Sequence, residues 1–174
     1  MRYPLALIAT LLLAACGSQP PAPEQNPADV GDRTPTTVGG VKEEPVDMFG
    51  VAGLKDPRSP LSKRAIYFDY DQYVVKDEFK STIEAHSKFL VANPKFEVRI
   101  QGNADERGSR EYNLALGQKR ADAVKKAMTL LGARENQVEA VSLGKEKPVC
   151  TESNEECWAK NRRADILHSA AKEF

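Results

Sequence analysis

Phe96-Glu97-Val98-Arg99-Ile100-Gln101-Gly102 alternates apolar and polar side chains, the pattern of a strand with one face in a core and one in water. The residues that follow, Asn103-Ala104-Asp105-Glu106-Arg107-Gly108-Ser109, are turn formers. From Arg110 to about Leu131 the period changes from two to 3.6, with Leu114, Gly117, Ala121, Val124, Met128 and Leu131 on one side of a helix. Gly132 stands where such a helix would end. On the N-terminal side, Ala65–Asp69 holds a short β-type run, Ile66-Tyr67-Phe68. Lys76–Asn93 places Phe79, Ile83, His86 and Leu90 on one helical face before Asn93-Pro94 stops it. On the C-terminal side, Val138–Leu143 reads as a third strand, Trp158–Arg163 as a short helical piece and Ala164–His168 as a fourth strand. The order β-α-β-α-β-(α)-β predicts an α/β (α+β) two-layer sandwich, with helices on one face of a small sheet. No internal repeat is visible.

The rest of the 174-residue chain has a different character. Met1–Ala15 reads as a secretory signal: Arg2 supplies the positive charge, and Leu5–Leu13 is apolar but too short to span a bilayer. It ends in Leu13-Ala14-Ala15-Cys16, which looks like a bacterial lipobox, so Cys16 is expected to become a lipidated N-terminus. Several acyl chains hold a protein stably where one holds only marginally. Gly17, rather than an aspartate, after that cysteine points to the outer membrane. Gly17–Pro60 contains eight of the 11 prolines, carries seven acids against four bases, and shows no apolar period. Such a segment cannot bury enough surface to offset its ordering entropy. Residues 16–60 are therefore expected to form a flexible tether reaching at most about 145 Å, and residues 61–174 the domain. Val46–Val51 is a small apolar island within the tether, read as a loop or a docking segment.

Charge and residue usage exclude several functions. Lysine plus arginine equals aspartate plus glutamate at 25 each, so nothing supports nucleic-acid binding. The two histidines, His86 and His168, have no metal-type partner at short spacing, and no cofactor site is expected. His86 falls on an apolar helix face and reads as a core residue. The carboxylate pairs Asp69/Asp71 and Asp105/Glu106 could in principle cleave sugars, but acidic pairs are common on surfaces, and the chain is not expected to be an enzyme. Cys150 and Cys157 lie in the loop before the last strand. Export places them in an oxidising compartment, and their spacing permits a closed loop, so a disulfide is expected.

One constellation carries chemistry. Asp105 lies where a strand hands over to a helix N-terminus, and Asn113 and Arg120 share a face of that helix. Gly117 between them leaves room for something to approach the backbone. A carboxylate beside a guanidinium matches a zwitterion, the acid taking an ammonium and the arginine a carboxylate. Spacing alone favours the plainer alternative, an aspartate capping its own loop and a solvated arginine.

The segments Gly102–Gly108, Glu111-Tyr112-Asn113 and Leu116–Ala121 resemble the signature of the OmpA-like peptidoglycan-binding domain. With the lipobox, Tyr67–Asp71, Ser142–Pro148 and Asn161–Asp165, the layout resembles the peptidoglycan-associated lipoprotein family. That resemblance implies a small mixed sheet and a non-catalytic site for the meso-diaminopimelate of the wall's stem peptide. By motif position, Asp105 would hold the ammonium and Arg120 the carboxylate, with Asp71 and Asn113 lining the pocket and Asn161 and Arg162 contributing. Asn103 and Ala104 replace the His and Thr common in such domains. The resemblance also implies TolB and the Tol-Pal system as partners, a place at the outer membrane with the domain facing the periplasm, and a part in envelope integrity and cell division. The alternatives are a peptidoglycan hydrolase built on the same carboxylates and a surface or interaction lipoprotein that never touches the wall.

Overall fold

The computed structural model describes residues 50–173. The expected signal, Cys16 and the tether up to residue 49 lie outside the described residues, as does most of the 46–51 island. In chain order the described elements are β1 (Ala65–Tyr67), α1 (Lys80–Ala92), β2 (Val98–Asn103), α2 (Arg110–Leu130), β3 (Val138–Gly144), α3 (Glu155–Asn161) and β4 (Arg163–His168). The strands form one mixed sheet in the order β1-β4-β2-β3. β2 and β3 run parallel because α2 carries the chain back between them, whereas β4 is antiparallel to both β1 and β2. The two-layer architecture expected from the sequence is the one observed.

Val98, Ile100, Ala164 and Ile166 alternate into the core from the central strands, and Ile66 joins them from the edge. Ile83, Phe89 and Leu90 of α1 and Ala121, Val124 and Met128 of α2 close over them. Each such large apolar side chain, fully buried, contributes about 1.5–3 kcal/mol. The opposite sheet face is polar, where Arg99 pairs with Glu139 and Arg163 with Asp165.

Several expectations need correction. The packed domain begins before Leu61: Val51–Leu54 and Pro60–Ser62 are 3-10 turns, and Leu54 and Leu61 are both part of the core. Phe79 belongs to a 3-10 turn, Asp77–Phe79, ahead of α1. On α2, Leu114 is 50% exposed and Leu131 48% exposed, while Asn113, Leu116 and Arg120 are buried with Gly117, Ala121, Val124 and Met128. The buried stripe thus includes two polar residues that a search for hydrophobic periodicity passes over. α3 starts earlier than expected because Asn154 caps it, its Oδ1 accepting from the Cys157 amide at 2.9 Å. Cys150 and Cys157 form the expected disulfide, with 5.2 Å between their α-carbons.

Gly117 does leave room for a close approach, and strand β2 fills that room. A β-carbon on Gly102 would stand 1.8 Å from the Gly117 carbonyl oxygen, and one on Gly117 would stand 2.4 Å from Ser142 Oγ. Ser142 Oγ can swing aside, but the Gly102 carbonyl oxygen, 2.8 Å from a β-carbon on Gly117, and the Gly117 carbonyl are backbone and give way only if the helix moves off the sheet. Gly102→Ala is expected to cost at least about 1–3 kcal/mol, read as a lower denaturation midpoint; an unchanged midpoint would show that α2 can shift freely.

His86 and His168 are both buried and bonded to each other, Nδ1 to Nε2, at 2.8 Å. His86 Nε2 lies 2.8 Å from the Lys63 carbonyl and must carry a proton to bond it. His86 Nδ1 is therefore the acceptor and His168 Nε2 the donor, leaving His168 Nδ1 a bare acceptor without a partner among the described residues. Burial pushes the pKa of His86 down to about 4. Burial, with the charges of His86 and Arg64, pushes His168 down to about 3. The unfolded rings take up protons near pH 6.5, so between that pH and the folded values the unfolded chain binds more protons. Stability is therefore expected to fall on acidification from about pH 6.5, by on the order of a few kcal/mol for the two rings at pH 5. Denaturant midpoints equal at pH 7 and pH 5 would contradict a neutral buried pair.

Candidate functional site

The sequence from β2 into α2 builds one wall of a cavity. After Asn103 the chain turns through residues 104–109, and Ser109 Oγ caps α2 by accepting from the Tyr112 amide at 3.1 Å. Lys145 secures the turn by donating to the Glu106 and Gly108 carbonyls. The segment after β1 forms the facing wall. Between them lies a cavity of about 130 Å³, whose lining includes Tyr70, Asp71, Asp105, Arg107, Asn113 and Arg120. A larger hollow, about 400 Å³, separates the Pro57–Lys63 segment from α1; the acid and base that line it on α1, Glu84 and Lys88, are exposed and paired with each other at 2.7 Å.

Arg120 is fully buried. Its Nε donates to the Gln72 carbonyl at 2.8 Å, Nη1 to the Asn103 carbonyl at 2.8 Å and Nη2 to the Asp69 carbonyl at 3.2 Å. A guanidinium has five N–H donors, so one on each terminal nitrogen is left over. Burial draws its pKa down to about 10, the charge of Asp105 opposing that shift. The group remains a cation, held by neutral carbonyls rather than by a carboxylate.

Asp105 is 5% exposed and heavily engaged. Its Oδ1 accepts from the Arg107 amide and Nε, both at 3.1 Å. Its Oδ2 accepts from Arg107 Nη2 at 2.7 Å and from Arg162 Nη1 at 3.5 Å. Burial by itself would raise its pKa, but the Arg107 side-chain and backbone hydrogen bonds outweigh it and hold the carboxyl below its usual value. Arg107 is fixed in turn. Its guanidinium carbon lies 4.2 Å from the centre of the Tyr70 ring and 4.1 Å from that of Trp158.

Asp71 sits in the left-handed region at φ 56° and accepts a hydrogen bond from the Tyr112 hydroxyl on Oδ1, and among the described residues its Oδ2 is left open. Asn113 is buried and donates to the Arg107 carbonyl at 2.8 Å. Thus Asp71, Asp105, Asn113 and Arg120 come together as expected. Arg162 stands behind Asp105, donating also to the Phe68 carbonyl and to Glu155. Asn161 is elsewhere: its Oδ1 accepts from the Val149 and Cys150 amides and its Nδ2 donates to the Cys150 carbonyl, so it clamps the disulfide loop. Asn103 turns its amide toward the Gln101 carbonyl and Asp165, and only its backbone serves the site. Arg107, Tyr70 and Tyr112 were not among the expected site residues. The available signal was an arginine two residues after the key aspartate, at the reach of a side chain folding back on its own turn.

The OmpA family matches residues 67–162 of this chain, more than half its length and the whole of the cavity lining. The chain belongs to that family. The peptidoglycan-associated lipoprotein of Pasteurella multocida is 42% identical over 121 residues, covering 70% of this chain and 79% of the relative. That of Haemophilus influenzae is 37% identical over 156 residues, covering 90% of each. The crystal structure of the peptidoglycan-associated lipoprotein from Burkholderia pseudomallei superposes with a TM-score of 0.65 at 55% identity, over 66% of this chain and 98% of that one. Within this family setting the Asp105–Arg107 pair makes a direct prediction. Arg107→Ala removes the dominant stabiliser of the ionised carboxyl, so the Asp105 side chain should titrate at higher pH, as followed by carboxyl carbon NMR. A titration curve that does not move would mean that Arg162 alone sustains the charge.

Proposed function

We propose that the chain is an outer-membrane lipoprotein that binds peptidoglycan without cleaving it, taking the zwitterionic end of diaminopimelate into the cavity. The observation that carries this reading is the meeting, in about 130 Å³, of a buried guanidinium with unspent donors and the carboxylates of Asp71 and Asp105. Arg120 would hold the ligand carboxylate. The in-plane lone pairs of Asp105 are already used by Arg107 and Arg162, so Asp71, with one oxygen open, would share the ammonium with it. Asp105 then has two duties, facing the ligand and fixing Arg107. Lipidated Cys16 would hold the membrane, and residues 17–49 would lead to a domain that grips the wall. Weak single grips suffice, because tethered copies facing a polymer act at high effective concentration. TolB as a partner, the Tol-Pal system and a role in envelope integrity and cell division belong to this proposal through the family resemblance.

Sedimentation with insoluble cell walls tests it. The chain should pellet with walls, free diaminopimelate should release it, and no muropeptides should appear in the supernatant. Asp71→Asn and Asp105→Asn should each reduce pelleting about tenfold or more, the loss expected when a charged hydrogen-bond partner worth about 1.5–3 kcal/mol is removed, with folding checked by circular dichroism. Undiminished pelleting of both variants would sink the site, and released muropeptides would establish the hydrolase instead.

A further inference from the structure

Beside the first cavity lies a second of about 200 Å³, lined by Asp71, Tyr73, Tyr112, Ala115, Leu116 and Lys119. Asp71, Tyr112 and Leu116 line both. The hydrogen-bonded Asp71–Tyr112 pair is therefore a shared wall rather than an outer rim. Neither hollow alone reaches the roughly 300 Å³ of an ordinary small-ligand site, and joined they do.

The chemistry of the two differs. The first offers buried, doubly charged contacts suited to a compact zwitterionic head. The second is more superficial and is lined by one cation, Lys119, besides the Asp71 carboxylate that it shares with the first. Lys119 is exposed, one residue before Arg120 on α2, with its ammonium 5.3 Å from the centre of the Tyr73 ring. The residues four positions away on either side are Ala115 and Ala123, so it lacks the four-residue pairing that Lys88 has with Glu84 and Lys160 with Glu156. Asp122, the nearest acid in sequence, accepts instead from Gln118 at 3.0 Å. Among the described residues Lys119 has no carboxylate within ion-pair distance. A lysine with an open charge thus stands at a polar hollow contiguous with the head site, between two half-exposed tyrosine rings.

We propose that this second cavity is a subsite for the peptide that carries the zwitterionic head, with Lys119 taking a carboxylate of that peptide and Tyr73 and Tyr112 packing against its backbone. The inference rests on the function proposed above. In a stem peptide the free amino-acid end of diaminopimelate is joined to the backbone by a short methylene chain, so backbone emerges beside the head. The carboxylate has two sources, the α-carboxylate of the neighbouring γ-linked glutamate and the C-terminal carboxylate. Free diaminopimelate fills the first cavity only, whereas the peptide fills both.

The test is calorimetric titration of the full-length chain and of its Lys119→Gln and Lys119→Glu variants. The ligands are free meso-diaminopimelate, a soluble stem tripeptide ending in diaminopimelate, and that tripeptide amidated at the glutamate α-carboxylate or at the C-terminus. Lys119→Gln should weaken the plain tripeptide by roughly fivefold, the ceiling of an exposed ion pair, and Lys119→Glu should weaken it further. Both effects should shrink at high salt, and free diaminopimelate should bind all three proteins alike. The amidated peptide that loses sensitivity to Lys119 identifies the carboxylate. Tripeptide binding unchanged in both variants overturns the subsite while the head site stands. Equal weakening of amino acid and peptide overturns it too, because Lys119 would then act on the first cavity. A wild-type chain that binds neither ligand overturns both readings. Tyr73→Ala, which leaves the charge in place, should weaken the peptide selectively as well.

Discussion

The site depends on a positive charge buried where, among the described residues, no carboxylate bonds it. Taking a guanidinium out of water costs several kcal/mol even after relaxation, and here three backbone carbonyls offset that cost. Hydrogen bonds from a charged donor contribute about 1.5–3 kcal/mol each. Two of those carbonyls come from the segment after β1 and the third from the end of β2, so Arg120 ties both walls of the cavity to α2. Carbonyls satisfy the hydrogen-bonding need without cancelling the charge. An anion entering the cavity meets a cation that is in place and unneutralised.

That arrangement requires α2 to lie close on the sheet. Gly102 and Gly117 allow it, since neither strand nor helix presents a side chain at their crossing. Arg120 is one turn beyond Gly117, so the crossing also sets the height at which its guanidinium meets the Asn103 carbonyl. The core apolar residues farther along α2, Val124 and Met128, hold the same face down. Packing and binding geometry are therefore consequences of one helix orientation, and a substitution at the crossing perturbs both.

Much of this was legible in the sequence, for definite reasons. The strand, turn and helix from Phe96 onward announce themselves by a change of period. A seven-residue helical step sets Asn113 and Arg120 on one face near the turn that holds Asp105, yet spacing alone favoured a loop cap and a solvated arginine, and the family resemblance is what brought the three into one site. What Arg120 bonds could not be read: its partners are backbone carbonyls, two of them about fifty positions earlier in the chain, and carbonyls carry no residue signature. Leu114 and Leu131 were misplaced because the buried stripe of α2 runs through Asn113 and Arg120, polar residues that hydropathy assigns to water. Asn161 and Arg162 are neighbours with separate tasks, one clamping a loop and one reaching Asp105, and only the C-terminal end of α3 separates them.

That adjacency also explains why a disulfide loop outside the sheet matters to the cavity. Asn161 bonds the Cys150 backbone, and the disulfide holds Cys150 to Cys157 on α3. The next residue, Arg162, spans from the Phe68 carbonyl to Asp105 and Glu155, while Trp158 on the same helix covers Arg107. Around Asp105 the charges of Arg107, Arg120 and Arg162 face those of Asp71, Asp105 and Glu155, so the formal balance is neutral although the local fields are strong. A neutral site of this kind does not draw in ligands by net charge at long range. It favours a ligand whose own charges are opposite, close together and matched in spacing to the residues, which is the electrostatic description of an amino-acid zwitterion.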